Sequence, residues 1–132
     1  MMTEALQQQP WYNWQEPWQF AKPYIERAIK YQDLYTLDDV EGKIANGSFQ
    51  LWVGNQSATI TEIQEFPQKR IMNVLFCGGD LSEIIEMEKS FIHFAKLNGC
   101  TRLYGGGRKA WVRKLKQLTP GWETDYLIRK EI

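Results

Sequence analysis

The sequence is short of the residues from which most catalytic and metal chemistry is built. It has one histidine, His93, and two cysteines, Cys77 and Cys100. A single histidine with no second His or neighbouring Cys makes no metal site, and no Ser-His-Asp or Cys-His set assembles around it. His93 points off the apolar side of its helix and reads as solvated surface. Two cysteines cannot form a disulfide framework, so they read as reduced, buried thiols of an intracellular protein. Apolar runs such as "IMNVLFC" are of strand length, which excludes a bilayer span. The first twenty residues carry neither the basic nor the apolar region of a secretion signal. Net charge is absent too: sixteen Lys and Arg balance sixteen Asp and Glu, which argues against a dedicated nucleic-acid binder.

What is present is a single domain's worth of chain, 132 residues, long enough to bury a core without staples. It is rich in aromatics, six of them Trp, and they are unevenly placed. "QQQPWYNWQEPWQF" holds Trp11, Tyr12, Trp14, Trp18 and Phe20 among Pro and Gln. It reads as an extended arm over residues 1–21, ahead of one domain over 22–132. Its rings either fold back on the body or dock on another protein, either a further copy or an assembly component, because such a cluster does not stay wet. Charge is split as well. Residues 1–65 hold four Lys/Arg against nine Asp/Glu, and residues 66–132 hold twelve against seven. This asymmetry can steer docking between copies, or it is a scatter of solvated side chains.

Periodicity sets out the elements. Pro23 suits a first helical turn, and Tyr24, Ile25, Ala28 and Ile29 then form one stripe. Thr36 with Asp39 caps a second helix through Leu37, Val40 and Ile44, which Gly47 closes. "FQLWVG", "SATITEIQEF" and "RIMNVLFC" are strands joined by short turns, an antiparallel meander. Asp80 and Glu83 form a capping box for the longest helix, whose apolar side is Leu81, Ile84, Ile85, Phe91, Ile92 and Ala95 and which Gly99 ends. "TRLYGG" is a short strand and "RKAWVRKLKQL" a helix with Trp111, Val112, Leu115 and Leu118 on one side. "DYLIRKEI" is a last strand. The order α-α-β-β-β-α-β-α-β predicts an α/β (mixed α+β) fold: a central mixed sheet with a meander, a β-α-β crossover and helices on both faces.

That order resembles the GNAT acetyltransferase fold from its first helices to its last strand. "ANGSFQLWVG", "CGGDL", "FAKLNGC" and "GRKAWVRKL…GW" also look like the short GNAT-like proteins of tailed phages and prophages, over roughly Tyr35 to Ile132. The resemblance implies either an N-acetyltransferase using acetyl-CoA or a structural, virion-associated protein with a degenerate acyl-CoA site. It places the chain in the cytoplasm of a bacterial host, with incorporation into a virion as a further option.

The resemblance also places the coenzyme A pyrophosphate loop at Gly78, Gly79 and Asp80. The family's usual Arg or Gln is missing there. Asp80, as an N-cap, occupies the amides that an anion would need and adds like charge. A structural turn is the better reading. The family's frequent Tyr acid is missing from "AWVRKLKQLTPGW", where Arg113, Lys114 and Lys116 stand instead. Tyr104 and Tyr126 are stand-ins for the acid, and Glu62 or Glu65 for a base, without a visible supporting partner.

A second glycine run, Gly105–Gly107 with Arg108, is either a nest for an anion or a turn needing unusual backbone angles. From Arg102 to Lys116 there are six Lys/Arg and no acid. Arg108, Lys109, Arg113 and Lys116 could therefore meet an acidic partner or make weak contact with a nucleic-acid backbone, or simply form a solvated face.

Overall fold

A computed structural model describes residues 13–132, so the expectations for Trp11 and Tyr12 lie outside the described residues. The elements are α1 (Gln15–Ile29), α2 (Leu37–Ala45), β1 (Phe49–Val53), β2 (Ser57–Glu65), β3 (Arg70–Gly79), α3 (Leu81–Leu97), β4 (Arg102–Gly105) and α4 (Lys109–Leu118). The strands form one sheet in the order β1-β2-β3-β4. β1, β2 and β3 pair antiparallel, and α3 carries the chain over to β4, which runs parallel to β3. The expected mixed sheet, meander and crossover are all present. Among the described residues no helix is long and apolar enough to cross a membrane.

Strand alternation divides the core between two faces. Phe49, Leu51, Ala58, Ile60 and Phe76 point to α1 and α2, where they pack with Trp18, Ala21, Ile25, Val40 and Ile44. Trp52, Met72 and Val74 point the other way and pack with Met87, Phe91, Phe94 and Ala95 of α3. The α3 face carries a buried ladder of linked polar side chains. Trp52 Nε1 donates to Thr61 Oγ1, which donates to Gln50 Oε1, and Thr59 Oγ1 donates to Met87 Sδ.

Three expectations need correction. The arm is not extended beyond Gln15: α1 begins there and contains Trp18, which is fully buried. Trp18, Ala21 and Ile25 are spaced three and four apart, and Trp14, Ala28 and Ile29 extend the same stripe. Pro17 falls in the first turn, where a missing N–H costs nothing, so the interspersed Pro and Gln concealed a helical period. Trp18 Nε1 donates to Glu41 Oε1 at 2.8 Å and ties α1 to α2. Trp14 is half-buried against the same cluster, while Phe20 is exposed.

On α3 the buried stripe is Ile84, Met87, Phe91, Phe94 and Ala95, and Ile92 faces solvent. Residues 123–132 form neither helix nor strand. Tyr126, Leu127 and Ile128 are 91%, 95% and 92% exposed, so their alternation has no neighbouring strand to satisfy.

Candidate functional site

β4 runs beside β3 only from Ile71 to Val74, opposite Arg102 to Gly105. β3 continues to Gly79, still paired with β2 on its other side. From Leu75 onward its outer edge therefore has no strand neighbour among the described residues. The divergence coincides with a register shift: Ile60 pairs with Phe76 and Thr61 with Val74, which makes Leu75 the extra residue of a β-bulge.

A cavity of about 660 Å³ fills the gap. Val74–Cys77 form its floor. Tyr31 and Tyr35, from the connection between α1 and α2, line one side. Ile84, Ile85 and Glu88 of α3, with Trp111 and Leu115 of α4, line the other. The cavity is thus a slot at the splayed margin of the sheet, lined by residues from both faces.

The two glycine runs stand at the two strand-to-helix turns around this slot, and they differ in kind. At Gly78 an added Cβ would collide with the Tyr24 carbonyl of α1. At Gly79, which has φ +103°, it would collide with the Gln56 carbonyl of the β1–β2 turn. The chain's own backbone fills both places. Asp80 N donates to Gln56 O at 2.9 Å. The Asp80 carboxylate accepts from the hydroxyl and the amide of Ser82 (2.8 and 2.9 Å), and these bonds hold its pKa below the ordinary value. Glu83 does not complete a capping box. Its carboxylate turns instead to Gln56 N and Ser57 Oγ, pinning α3 to the β1–β2 turn.

Gly105, Gly106 and Gly107 answer no such demand. None has positive φ, so the unusual angles expected for this turn are not there. A Cβ on Gly106 would meet nothing within 4 Å, and those on Gly105 and Gly107 would make ordinary contacts. These glycines border the cavity, with Arg108 beside them stacked 4.3 Å from the Tyr31 ring centre.

Of the residues named from sequence, the structure brings Arg108 to the cavity. Glu62, Tyr104 and Tyr126 do not line it: Glu62 accepts from Gln64, and the Tyr104 hydroxyl accepts from Arg102. Glu65 pairs with Arg70 on the surface. Lys109, Arg113 and Lys116 lie on the outer side of α4, with Lys116 donating to Thr124 Oγ1.

Sequence reasoning missed Glu88, the one carboxylate among the described lining residues. It stands four residues after Ile84 and three before Phe91, an acid set in an apolar stripe, and that spacing was the available signal. Its Oε1 accepts from Trp122 Nε1 at 2.9 Å, and Thr119 Oγ1 lies 3.2 Å from both oxygens. Cys77 also borders the cavity, and burial pushes its thiol up to about 11. It is a neutral wall rather than a nucleophile. Among the described residues no cluster of His, Cys, Asp and Glu could hold a metal ion.

No family model matches the chain, and no curated protein matches it. Solved structures do. A protein described as a probable acetyltransferase superposes with a TM-score of 0.67 at 7% identity, covering 89% of this chain and 92% of its own. An integron cassette protein from the mobile metagenome of V. cholerae gives 0.57 at 13% identity, over 83% of this chain and 82% of that one. An aminoglycoside acetyltransferase from an uncultured soil metagenomic sample, solved with sisomicin, gives 0.51 at 8% identity, over 84% and 93%. The fold is that of the GNAT acetyltransferases.

Proposed function

We propose that the chain is an acyl-CoA-dependent N-acyltransferase with its site in the slot between β3 and β4. The observation that carries this reading is the outer edge of β3 beyond Val74, where β4 has parted from it and Leu75–Cys77 border a cavity. A strand edge offers alternating N–H and C=O groups, and an extended amide-bearing chain adds to it as a further strand would. The pantetheine arm of acyl-CoA is such a chain, and acyl-CoA supplies the activated acyl group. The likeness to acetyltransferase structures supports the same reading.

The chain's own part is to bind and orient. The bulge at Leu75 releases a residue of β3 from its ladder on the cavity floor. Apolar walls exclude water around the thioester and strengthen any hydrogen bond formed there. When an amine takes the acyl group, the N–C bond forms, the C–S bond breaks, and a proton passes from nitrogen to the departing sulfur. Glu88 is the carboxylate on the cavity wall placed to relay it.

The acceptor is a small amine rather than a polycation. Arg108 and Arg129 border the slot, and the one carboxylate there already accepts hydrogen bonds from Trp122 and Thr119.

Calorimetric titration with acetyl-CoA tests the binding. Micromolar affinity is expected, lost in Gly105→Trp, whose ring would fill the splay. An intact fold with no heat of binding overturns the reading. In a thiol-release assay with a panel of amines, Glu88→Gln should lower turnover and leave acetyl-CoA affinity unchanged.

A second reading is an assembly protein of the phage type, at work in a bacterial host's cytoplasm or in a virion and docking through its aromatic segment. It has lost Trp18 to the core. What favours a protein partner now is the exposed run at residues 126–128.

A further inference from the structure

The second glycine turn ends on a cation that the fold leaves unspent. Arg108 is exposed and borders the cavity, and among the described residues no carboxylate pairs with it. Arg129, the other cation on the lining, lies 3.6 Å from Glu131. The first turn of α4 holds no acidic residue, so nothing here plays the part that Asp80 plays before α3. A Cβ on Gly106 would meet nothing within 4 Å, which keeps the approach to Arg108 open.

The guanidinium is nevertheless held in place. It lies 4.3 Å from the Tyr31 ring centre, a contact that leaves the donors of its fork for an anion. Tyr31 is anchored in turn by its neighbour Gln32. The Gln32 Nε2 donates to the carbonyls of Ile29 and Tyr35 (2.8 and 2.7 Å), and its Oε1 accepts from the amides of Leu34 and Tyr35 (2.8 and 2.7 Å). These bonds shape a connection that has neither helix nor strand. A cation oriented on a fixed ring beside an apolar slot is a receptor for an oxyanion.

We propose, building on the acyltransferase reading, that the acceptor is an aminocarboxylate, its carboxylate held by Arg108 and its amine turned to Glu88. A carboxylate matches the guanidinium fork with two parallel hydrogen bonds, which no neutral group does. Glu88 suits the other end. A carboxylate has roughly four lone-pair sites, and the bonds from Trp122 and Thr119 leave room for a proton of the amine. A ligand carrying both groups meets an unlike charge at each. A plain amine leaves Arg108 unpaired, and a diamine is repelled by it.

Matched probes read the clamp: glycine, β-alanine, γ-aminobutyrate and phenylalanine, each beside the amine that lacks its carboxylate. In a thiol-release assay with acetyl-CoA, at least one acid should exceed its amine in kcat/KM by about tenfold to a hundredfold. Arg108→Gln should bring that acid down to its amine through KM, while far-UV circular dichroism stays unchanged. Tyr31→Leu keeps the cation but removes its support, and should erase part of the advantage. Calorimetric titration of the same pairs without acetyl-CoA keeps the two readings apart. An acid preference that Arg108→Gln abolishes upholds the clamp even if acetyl-CoA itself does not bind, a result that ends the acyltransferase reading alone. Acetyl-CoA binding with no preference for the acid in any pair overturns the aminocarboxylate and leaves the acyltransferase standing. An equal loss for acid and amine in Arg108→Gln marks a structural role and overturns the proposal. So does an Arg108→Gln variant that weakens acetyl-CoA and spares every acid, because the guanidinium then serves the donor's phosphates.

Discussion

Residues 13–100 and residues 101–132 are built on different terms. In the first region each special residue answers to another part of the same chain: Gly78 to the Tyr24 carbonyl, Gly79 to that of Gln56, Trp18 to Glu41. In the second, three glycines answer to nothing, α4 buries no side chain, and the last residues pair with no strand. A glycine that its own fold requires is spent on the fold. A glycine that the fold leaves free is available for the close approach of something else. The Gly78–Gly79 turn has the look of a phosphate cradle, yet the protein fills it. The Gly105–Gly107 turn has no structural use and stands open on the cavity.

Substitutions can break this contrast, and the largest effect falls in the first region. Trp18→Ala removes a fully buried indole and leaves Glu41 without its donor, so urea denaturation should show a loss of about 3–5 kcal/mol. Gly78→Ala forces a methyl against the α1 backbone and should cost about 1–3 kcal/mol by the same measurement, or more if α1 detaches. An unchanged midpoint in either variant would remove the distinction between the regions.

Cys77 sharpens the contrast through pH. Its folded thiol titrates near 11 because burial disfavours the thiolate, against an ordinary value of 9.0. The folded state therefore holds this proton more tightly than the unfolded chain. That stability is fully present below pH 9.0 and is lost as pH rises towards 11. Cys77→Ala should flatten this part of the denaturation-midpoint profile. An equal slope in both proteins would show that the thiol is not the group responsible.

In the second region the effects on folding become small and those on binding appear. Trp111→Ala should cost no more than about 1 kcal/mol of stability, since its ring is half-exposed. It should still weaken acetyl-CoA binding measured by calorimetry. Gly106→Ala should change stability least, by a gain of at most about 0.4–1 kcal/mol from the stiffer unfolded chain. A large destabilisation in Gly106→Ala would mean that the second glycine run is spent on the fold after all.

The parts legible in the sequence were those governed by local period and caps. The Thr36–Asp39 capping box, the meander and the long crossover helix are each announced by local pattern. α1 was hidden because Pro17 and Pro23 punctuate its stripe, and only its packing against α2 and the sheet outweighs them. The slot was not legible, because it arises where two strands distant in sequence part company. Glu88 carried a signal, an acid within an apolar stripe, but its meaning depends on Trp122, thirty-four residues away. Glu62, Tyr104 and Tyr126 were chosen for their chemistry alone, and none of them lines the slot.

The placement of the tryptophans gives the molecule its own optical reporter. Trp18 and Trp52 are sealed in the two cores, whereas Trp111 and Trp122 stand on the walls of the slot. Indole emission shifts with the polarity around the ring, so among the contributions to the spectrum that of Trp18 and Trp52 is blue and fixed, and that of Trp111 and Trp122 is redder and movable. A molecule entering the slot should quench or blue-shift the red component alone, and unfolding should move both. Binding and denaturation can then be told apart in a single cuvette, without a label.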